Sequence, residues 1–511
     1  MIARRDVARL LGLGAAAAAL GTSSAARAAP TGTMRVRIAS DIGNLDPARI
    51  FQIENQTVAG NIYNGLVKYD QATNKIVPDL ATGYEISEGG KVYTFTLRPG
   101  VTWHKNYGEF TADDVRFSIE RVKNPATNSA YSGQLTSIQS VEAPDKLTVR
   151  IMLSRPDPGI LQKLTAFNQG WMVSRRALEA IGEQRYPLQP VGTGPFSFER
   201  WTPGSEVRLR ANPTYFEGAP KVDTLVFRLI RDETAAAIAL QNGEIDVFYA
   251  LQQPEVITQL KAAKGITILQ RAANHTNNLV LNMTVKPLDD IRVRQAIAYG
   301  INRQAILDGF FKGTRAFGYS VLTPSFPEYT EDVPKYPYDP DKAKALLKAA
   351  GADGFSLDLY GVAANPYDKL TVPIASDLNG VGIKANIKIL ERGAYLQARS
   401  KGDIPTCVTG VVGPPDPDSP LITLFAKQSF PPGLNTAHYT GIEDLLAKLG
   451  DTQAADARLA IYHEILAKTM TDLPAIPIYA ENLFLAHGPN VEGLVQNSLF
   501  TVQLYSTSLK A

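Results

Sequence analysis

The chain has one cysteine, Cys407, in 511 residues. A single thiol can form neither an intramolecular disulfide nor a thiolate metal cluster, so packing and hydrogen bonding must hold this fold together. The five histidines, His104, His275, His438, His463 and His487, share no spacing that would bring two of them onto one metal ion. No glycine-rich loop ends in Lys-Ser or Lys-Thr, which excludes the phosphate cradle of a nucleoside-triphosphate machine. There is no Gly-x-Ser-x-Gly elbow, and Cys407 stands in no nucleophile signature, so it reads as a small buried apolar residue. After the N-terminal stretch no window approaches 18 apolar residues, so no later helix is expected to cross a membrane. A strong charge of one sign is missing too. The formal net charge is +2, and removing residues 1–28 would take away Arg4, Arg5, Arg9 and Arg27 against Asp6, a net +3, leaving −1. No basic field remains to recruit nucleic acid.

What is present is an ordinary globular composition, 44% hydrophobic and 20% charged, long enough for about three domains of roughly 150 residues each. Residues 1–28 read as an export signal: Arg4 and Arg5 open it, a short apolar run spans Leu10 to Leu20, and Ala26-Arg27-Ala28 offers a small-x-small cleavage site. The string "ARRDVARLLGLG" resembles a twin-arginine signal, although Val7 and Ala8 stand where bulkier residues are usual, which leaves the general secretory route open. The expected location is the periplasm.

Hydrophobic periodicity then alternates between strand and helix. "MRVRIAS", "KVYTFTLRPGV" and "KLTVRIML" are period-two strands. In "FTADDVRFSIERV", Thr111 is an N-cap with Asp114 three residues on, the signature of a capping box. "VGTGPFSFERWTPGSEVRLRANP" reads as a hairpin around Thr202-Pro203-Gly204-Ser205. A buried strand, "VDTLVFRLI", precedes a helix stopped by Gly243, and "VRQAIAYGINRQAILDGFF" is a pair of helical segments around Gly300. In "YDPDKAKALLKAAG", Asp339 is the N-cap, Pro340 the first helical residue and Gly351 the stop. "FSLDLYG" and "IKANIKILE" are strands flanking a helix, and the chain closes with a helix near Asp456–Thr469 and the strand "AIPIYAENLFLAHG". Such alternation argues α/β layering with antiparallel additions.

Six stretches, in order along the chain, resemble the large solute-binding proteins of ABC importers, the peptide/nickel family 5. They are "NIYNGLVKYDQATNKIVPDLATGYEISEGGKVYTFTLRPGVTWH", "FTADDVRFSIERV", "PVGTGPFSFERWTPGSEVRLRANPTYF", "ALQNGEIDV", "LNMTVKPLDDIRVRQAIAYGINRQAIL" and "YHEILAKTMTDLPAIPIY". The resemblance implies an α/β fold of the type II periplasmic-binding-protein kind, with two lobes of mixed sheets joined by hinge strands and an extra α+β domain. It implies lobe I from residues 33–60, 186–278 and 483–511, the extra domain from 61–185, and lobe II from 279–482. Ligand would sit between the lobes, and an ABC permease would receive it; no cofactor, no metal and no catalysis are implied, and the expected state is a monomer. A di- or oligopeptide is the default cargo, with a sugar, opine, metal chelate or other solute as the alternative. An exported hydrolase using paired carboxylates and a chaperone-like surface protein are the rivals from other classes.

The motif residues read mostly as folding devices: Gly192, Gly194 and Pro195 for a tight approach into a strand, Asp246 for a helix–strand turn. The proline-dense "VVGPPDPDSP" can be only a stiff loop. In peptide-binding members of the family, an aspartate just upstream of "PDP" grips the peptide's amino terminus; here that position is Gly413. Asp416 or Asp418 could take over, although Asp416 equally suits a turn and Asp418 a helix cap. Asn44 and Asp46 follow the first strand, where the family's chain reaches the cleft; Trp171, Tyr360 and Tyr395 are candidate aromatic walls, and Arg392 a candidate for an anionic group.

Overall fold

The computed structural model describes residues 30–510, apart from 51, 130, 158, 166, 364–366, 411–415 and 453. The expectations for the export signal and for Gly413 fall outside the described residues.

Helix ends are fixed by local chemistry, as the sequence indicates. Helix Pro340–Ala350 is capped by Asp339, whose Oδ1 accepts the Lys342 N–H at 2.9 Å, and ends on Gly351 at φ +64°. Helix Ala112–Lys123 carries the Thr111/Asp114 capping box, and the hairpin Phe196–Thr202 with Glu206–Ala211 turns where expected.

One eleven-stranded sheet runs through both lobes. Its path is Lys384–Leu390, Ser356–Val362, Thr406–Gly410, Thr267–Leu281, Ala475–His487, Val247–Leu251, Thr33–Ile38, Thr224–Leu229, Glu206–Ala211 and Phe196–Thr202, with Ala316–Phe317 pairing off the path. Two members are much longer than the rest: Thr267–Leu281 has 15 residues and its antiparallel partner Ala475–His487 has 13. Thr267–Leu281 has no counterpart among the sequence expectations. Its apolar ends flank the polar run Asn274-His275-Thr276-Asn277-Asn278, which breaks any strand periodicity. Pairing on the Ala475–His487 side satisfies much of the backbone, and the register slips between Ala272 and Thr276 and between Asn277 and Asn278.

The apolar residues gather in separate cores. One draws on residues from Leu279 to Tyr479, and a second on Met34, Val36, Phe227, Val247 and Leu504. Ile62, Tyr63 and Trp171 pack into this second core. A third lies under the antiparallel sheet Ala81–Ser87, Val92–Leu97, Thr148–Leu153 and Ile138–Asp145, backed by helix Ala112–Lys123.

The glycine pair behaves as its spacing indicates. A Cβ on Gly192 would lie 2.0 Å from the Ile62 carbonyl oxygen and one on Gly194 2.5 Å from it. Beside them His104 is buried; its Nε2 donates to the Gly194 carbonyl at 2.9 Å, a tautomer fixed because a carbonyl can only accept. Burial holds the His104 pKa down to about 4, below its ordinary 6.5. The folded state therefore resists protonation that the unfolded chain accepts, so His104 contributes fully above pH 6.5 and its contribution is lost as pH falls towards 4. His104→Gln should lose about 2–3 kcal/mol less than the parent between pH 7 and 4, read from chemical unfolding; parallel curves would refute the assignment.

Candidate functional site

Strands Thr33–Ile38, Thr224–Leu229 and Val247–Leu251 are mutually parallel, as are Ser356–Val362, Lys384–Leu390 and Thr406–Gly410. In the first set Leu251 pairs with Phe484, which also faces Gln270; in the second Gly410 pairs with Asn277. The carboxyl ends of both sets thus converge on the polar middle of Thr267–Leu281. Open α/β sheets bind ligands at such carboxyl edges. Distant segments also touch outside the long strands: the Lys312 ammonium lies 2.9 Å from Glu255, and Asn74 Nδ2 donates to the Ser325 carbonyl at 3.0 Å.

The polar run at this junction is buried and underused. Neither ring nitrogen of His275 and neither amide atom of Asn277 finds a hydrogen-bond partner among the described residues; the same holds for Thr276 Oγ1 and Asn278 Oδ1. Unmade hydrogen bonds in a buried setting cost about 1–3 kcal/mol each, so a row of them marks a place built to meet another molecule. Burial, aided by the Arg315 charge, lowers the His275 pKa to about 4, keeping the ring neutral. Arg315 Nε lies 2.6 Å from Glu481 Oε1, with both side chains nearly sealed from solvent. Burial raises the Glu481 pKa and Arg315 opposes that rise. Gly410 admits the histidine: a Cβ there would lie 2.2 Å from His275 Nε2.

Helix Arg392–Lys401 follows the carboxyl end of Lys384–Leu390. Arg392, Tyr395 and Arg399 occupy positions i, i+3 and i+7, one stripe of that helix. Arg392 is exposed in the first turn, whereas Tyr395 and Arg399 are buried. The Tyr395 hydroxyl donates to the Val408 carbonyl at 3.2 Å, and Tyr360 sits half-buried on Ser356–Val362. Sequence reasoning named Arg392 and Tyr395 and missed Arg399, His275, Asn277, Arg315 and Glu481. The spacing of the helix stripe could have found the first; the polar interruption between apolar strand halves could have found the next two.

Asp416 shapes the loop it stands in, whereas Asp418 is the first residue of helix Asp418–Phe425, whose N-cap is Pro417, so the proline-dense stretch ends in helix and Asp418 is not the cap. Asp416 Oδ1 accepts the Asp418 N–H at 3.1 Å, and Asp418 accepts from the Tyr462 hydroxyl and lies 3.6 Å from Arg458. Asp418 is thereby tied to helix Ala455–Asp472. Asp416 faces the other half of the molecule, where it pushes the buried Tyr69 phenol up further. Burial, then the Asp418 charge, raises the Asp416 pKa to about 7, against the pull of Lys163. The folded state therefore holds a proton that the unfolded chain releases near pH 4, and stability falls as pH rises from about 4 to 7. Asp416→Asn should match the parent at pH 4 and melt higher than it at pH 8; an unchanged pH profile would show that this carboxylate is solvated.

The first-lobe candidates need correction. Asp46 is fully buried, with Arg121 bound to both of its oxygens at 2.8 and 2.7 Å, so its charge is already paired and enclosed away from a solute. Its task is to fasten the loop after the first strand to helix Ala112–Lys123. Asn44 is a turn residue whose Oδ1 accepts the Asp46 N–H at 3.2 Å. Trp171 is 2% exposed and packs against Tyr63 and Phe167 in the core of the first lobe, as a core residue does.

A model of bacterial extracellular solute-binding proteins, family 5 Middle, matches residues 75–431. The dipeptide-binding protein of Escherichia coli (strain K12) is 33% identical over 467 residues, 86% of this chain and 87% of that protein. Among solved structures, HbpA2 from Haemophilus parasuis superposes with a TM-score of 0.88 at 28% identity, covering 94% of this chain and 100% of that one. The ABC transporter-associated periplasmic binding protein DppA from Helicobacter pylori, in complex with the peptide STSA, superposes at 0.79 with 29% identity, over 94% and 98%. Two lobes of parallel-edged sheet joined by crossing strands, with this match over most of the length, place the chain in family 5 of the bacterial extracellular solute-binding proteins.

Proposed function

We propose that this chain is the periplasmic receptor of an ABC importer, capturing a short peptide or peptide-like solute between its lobes and delivering it to the permease without altering it. The observation that carries this reading is the row of buried, unpartnered polar groups from His275 to Asn278 where the two carboxyl edges meet. A solute that satisfies these groups contacts both lobes only when they are together, and so shifts the population towards the closed form. Relatives that bind dipeptides support the solute class, and an N-terminal stretch rich in arginine and alanine supports export by the twin-arginine route. The receptor acts as a monomer and has no nucleic-acid partner, in keeping with its nearly balanced charge.

The test is a thermal-shift screen of di- and tripeptides, glutathione, sugars and opines with the purified protein. A solute at 100 times its dissociation constant should stabilise the protein by about 2.7 kcal/mol. The resemblance puts the ammonium-gripping position of peptide-binding members at Gly413, which carries no charge, so N-acetylated peptides should bind within about threefold of free ones, roughly 0.6 kcal/mol. Strong preference for a free amine would assign that task to another acid. No saturable stabilisation by any solute, or steady turnover of one, would defeat the receptor reading.

A further inference from the structure

We propose that Arg399 is an anion subsite and that the solute is recognised through a carboxylate; this rests on the receptor reading and specifies how the same site selects its cargo. Arg399 is 7% exposed, and the described residues give it no carboxylate partner within ion-pair distance. Its Nη1 lies 3.3 Å from Thr409 Oγ1, a long hydrogen bond to a neutral group, and its Nη2 has no hydrogen-bond partner among the described residues. The guanidinium also rests over the Tyr395 ring at 5.8 Å. The thiol of Cys407 offers no countercharge, because burial raises its pKa and keeps it protonated.

A buried guanidinium left without an anion is unfavourable, and the planar fork of such a group matches a carboxylate in two parallel hydrogen bonds. The placement fits. Thr409 is the penultimate residue of Thr406–Gly410, at the carboxyl edge that meets the polar run, and it pairs directly with Asn278.

The experiment titrates parent protein, R399M and R399K with dipeptides supplied as free acids and as C-terminal amides, and separately with acetate at constant ionic strength. The parent should bind acids at least tenfold more tightly than amides, and R399M should erase that difference while leaving amide affinity within about twofold. Acetate should raise the melting temperature of the parent saturably and leave R399M unmoved. R399K, which keeps the charge and loses the fork, should fall between them and stands in if R399M does not fold. Equal affinity of the parent for acids and amides, an acetate response that R399M retains, or no acetate response in the parent overturns the proposal. Failure of every peptide to bind would defeat the peptide reading alone, because the acetate arm reports on the guanidinium whatever the solute is.

Discussion

Replacing Arg121 by methionine should destabilise the protein by about 3–5 kcal/mol while leaving solute affinity within a factor of two. The side chain is 5% exposed and makes a bidentate pair with Asp46, which is 0% exposed. Burial works against the Arg121 charge, but its hydrogen bonds to Asp46 and to Glu183 outweigh that and raise its pKa. Without it, Asp46 keeps, among the described residues, the Ala48 N–H at 3.2 Å and Arg49 at 3.6 Å as partners, inside a core that cannot solvate it. Removing both partners at once, in Arg121→Met with Asp46→Leu, should recover most of the loss, since a buried pair replaced by apolar groups of similar size is often close to neutral. The measurement is the denaturation midpoint of the three proteins alongside a binding isotherm. A large loss of affinity in the single variant would reinstate Asp46 as a solute contact.

The second large effect is expected at the crossing strands, and it depends on pH. Arg315→Met should cost about 3–5 kcal/mol at pH 8 and clearly less at pH 5. Glu481 already has a raised pKa from burial, with Arg315 restraining the rise. Once Arg315 is gone that pKa climbs further, so the folded variant keeps a proton that the folded parent releases, and its stability deficit grows as pH rises through the parent's own raised Glu481 pKa. At pH 5 the carboxyl can be neutral at little expense; at pH 8 it must ionise unpaired or hold its proton against the solvent. Arg315→Met combined with Glu481→Gln should remove the pH dependence. An equal deficit at both pH values would mean that Arg315 acts through packing on Phe311, over which it lies at 5.5 Å, and that its charge is irrelevant.

These two ion pairs also show where the sequence stops being informative. Asp339 with Lys342, and Thr111 with Asp114, are contacts across three residues, so their meaning is fixed as soon as the residues are read in order. Cys407 as an inert buried thiol was equally legible. Asp46 looked like a cleft residue because it follows the first strand; nothing near it in sequence reveals Arg121, 75 positions away. Thr267–Leu281 does not read as a strand because the polar run from Asn274 to Asn278 stands where a strand's pattern requires alternation. An arginine on a helix is usually solvated, and only burial without an acid among the described residues sets Arg399 apart.

The amino-acid order by itself determined the helix caps, the hairpin turn, the glycine-backbone approach at residues 192–194 and, through the succession of six motifs, the family. Those features depend on interactions over a few residues or on pattern, which a linear chain carries in full. Only the tertiary structure decided which polar groups are left without partners, because being unpartnered depends on everything that fails to come near. It brought two carboxyl edges to one polar strand, gave Asp46 to Arg121, and enclosed Arg399 beside Thr409 with no acid among the described residues to neutralise it.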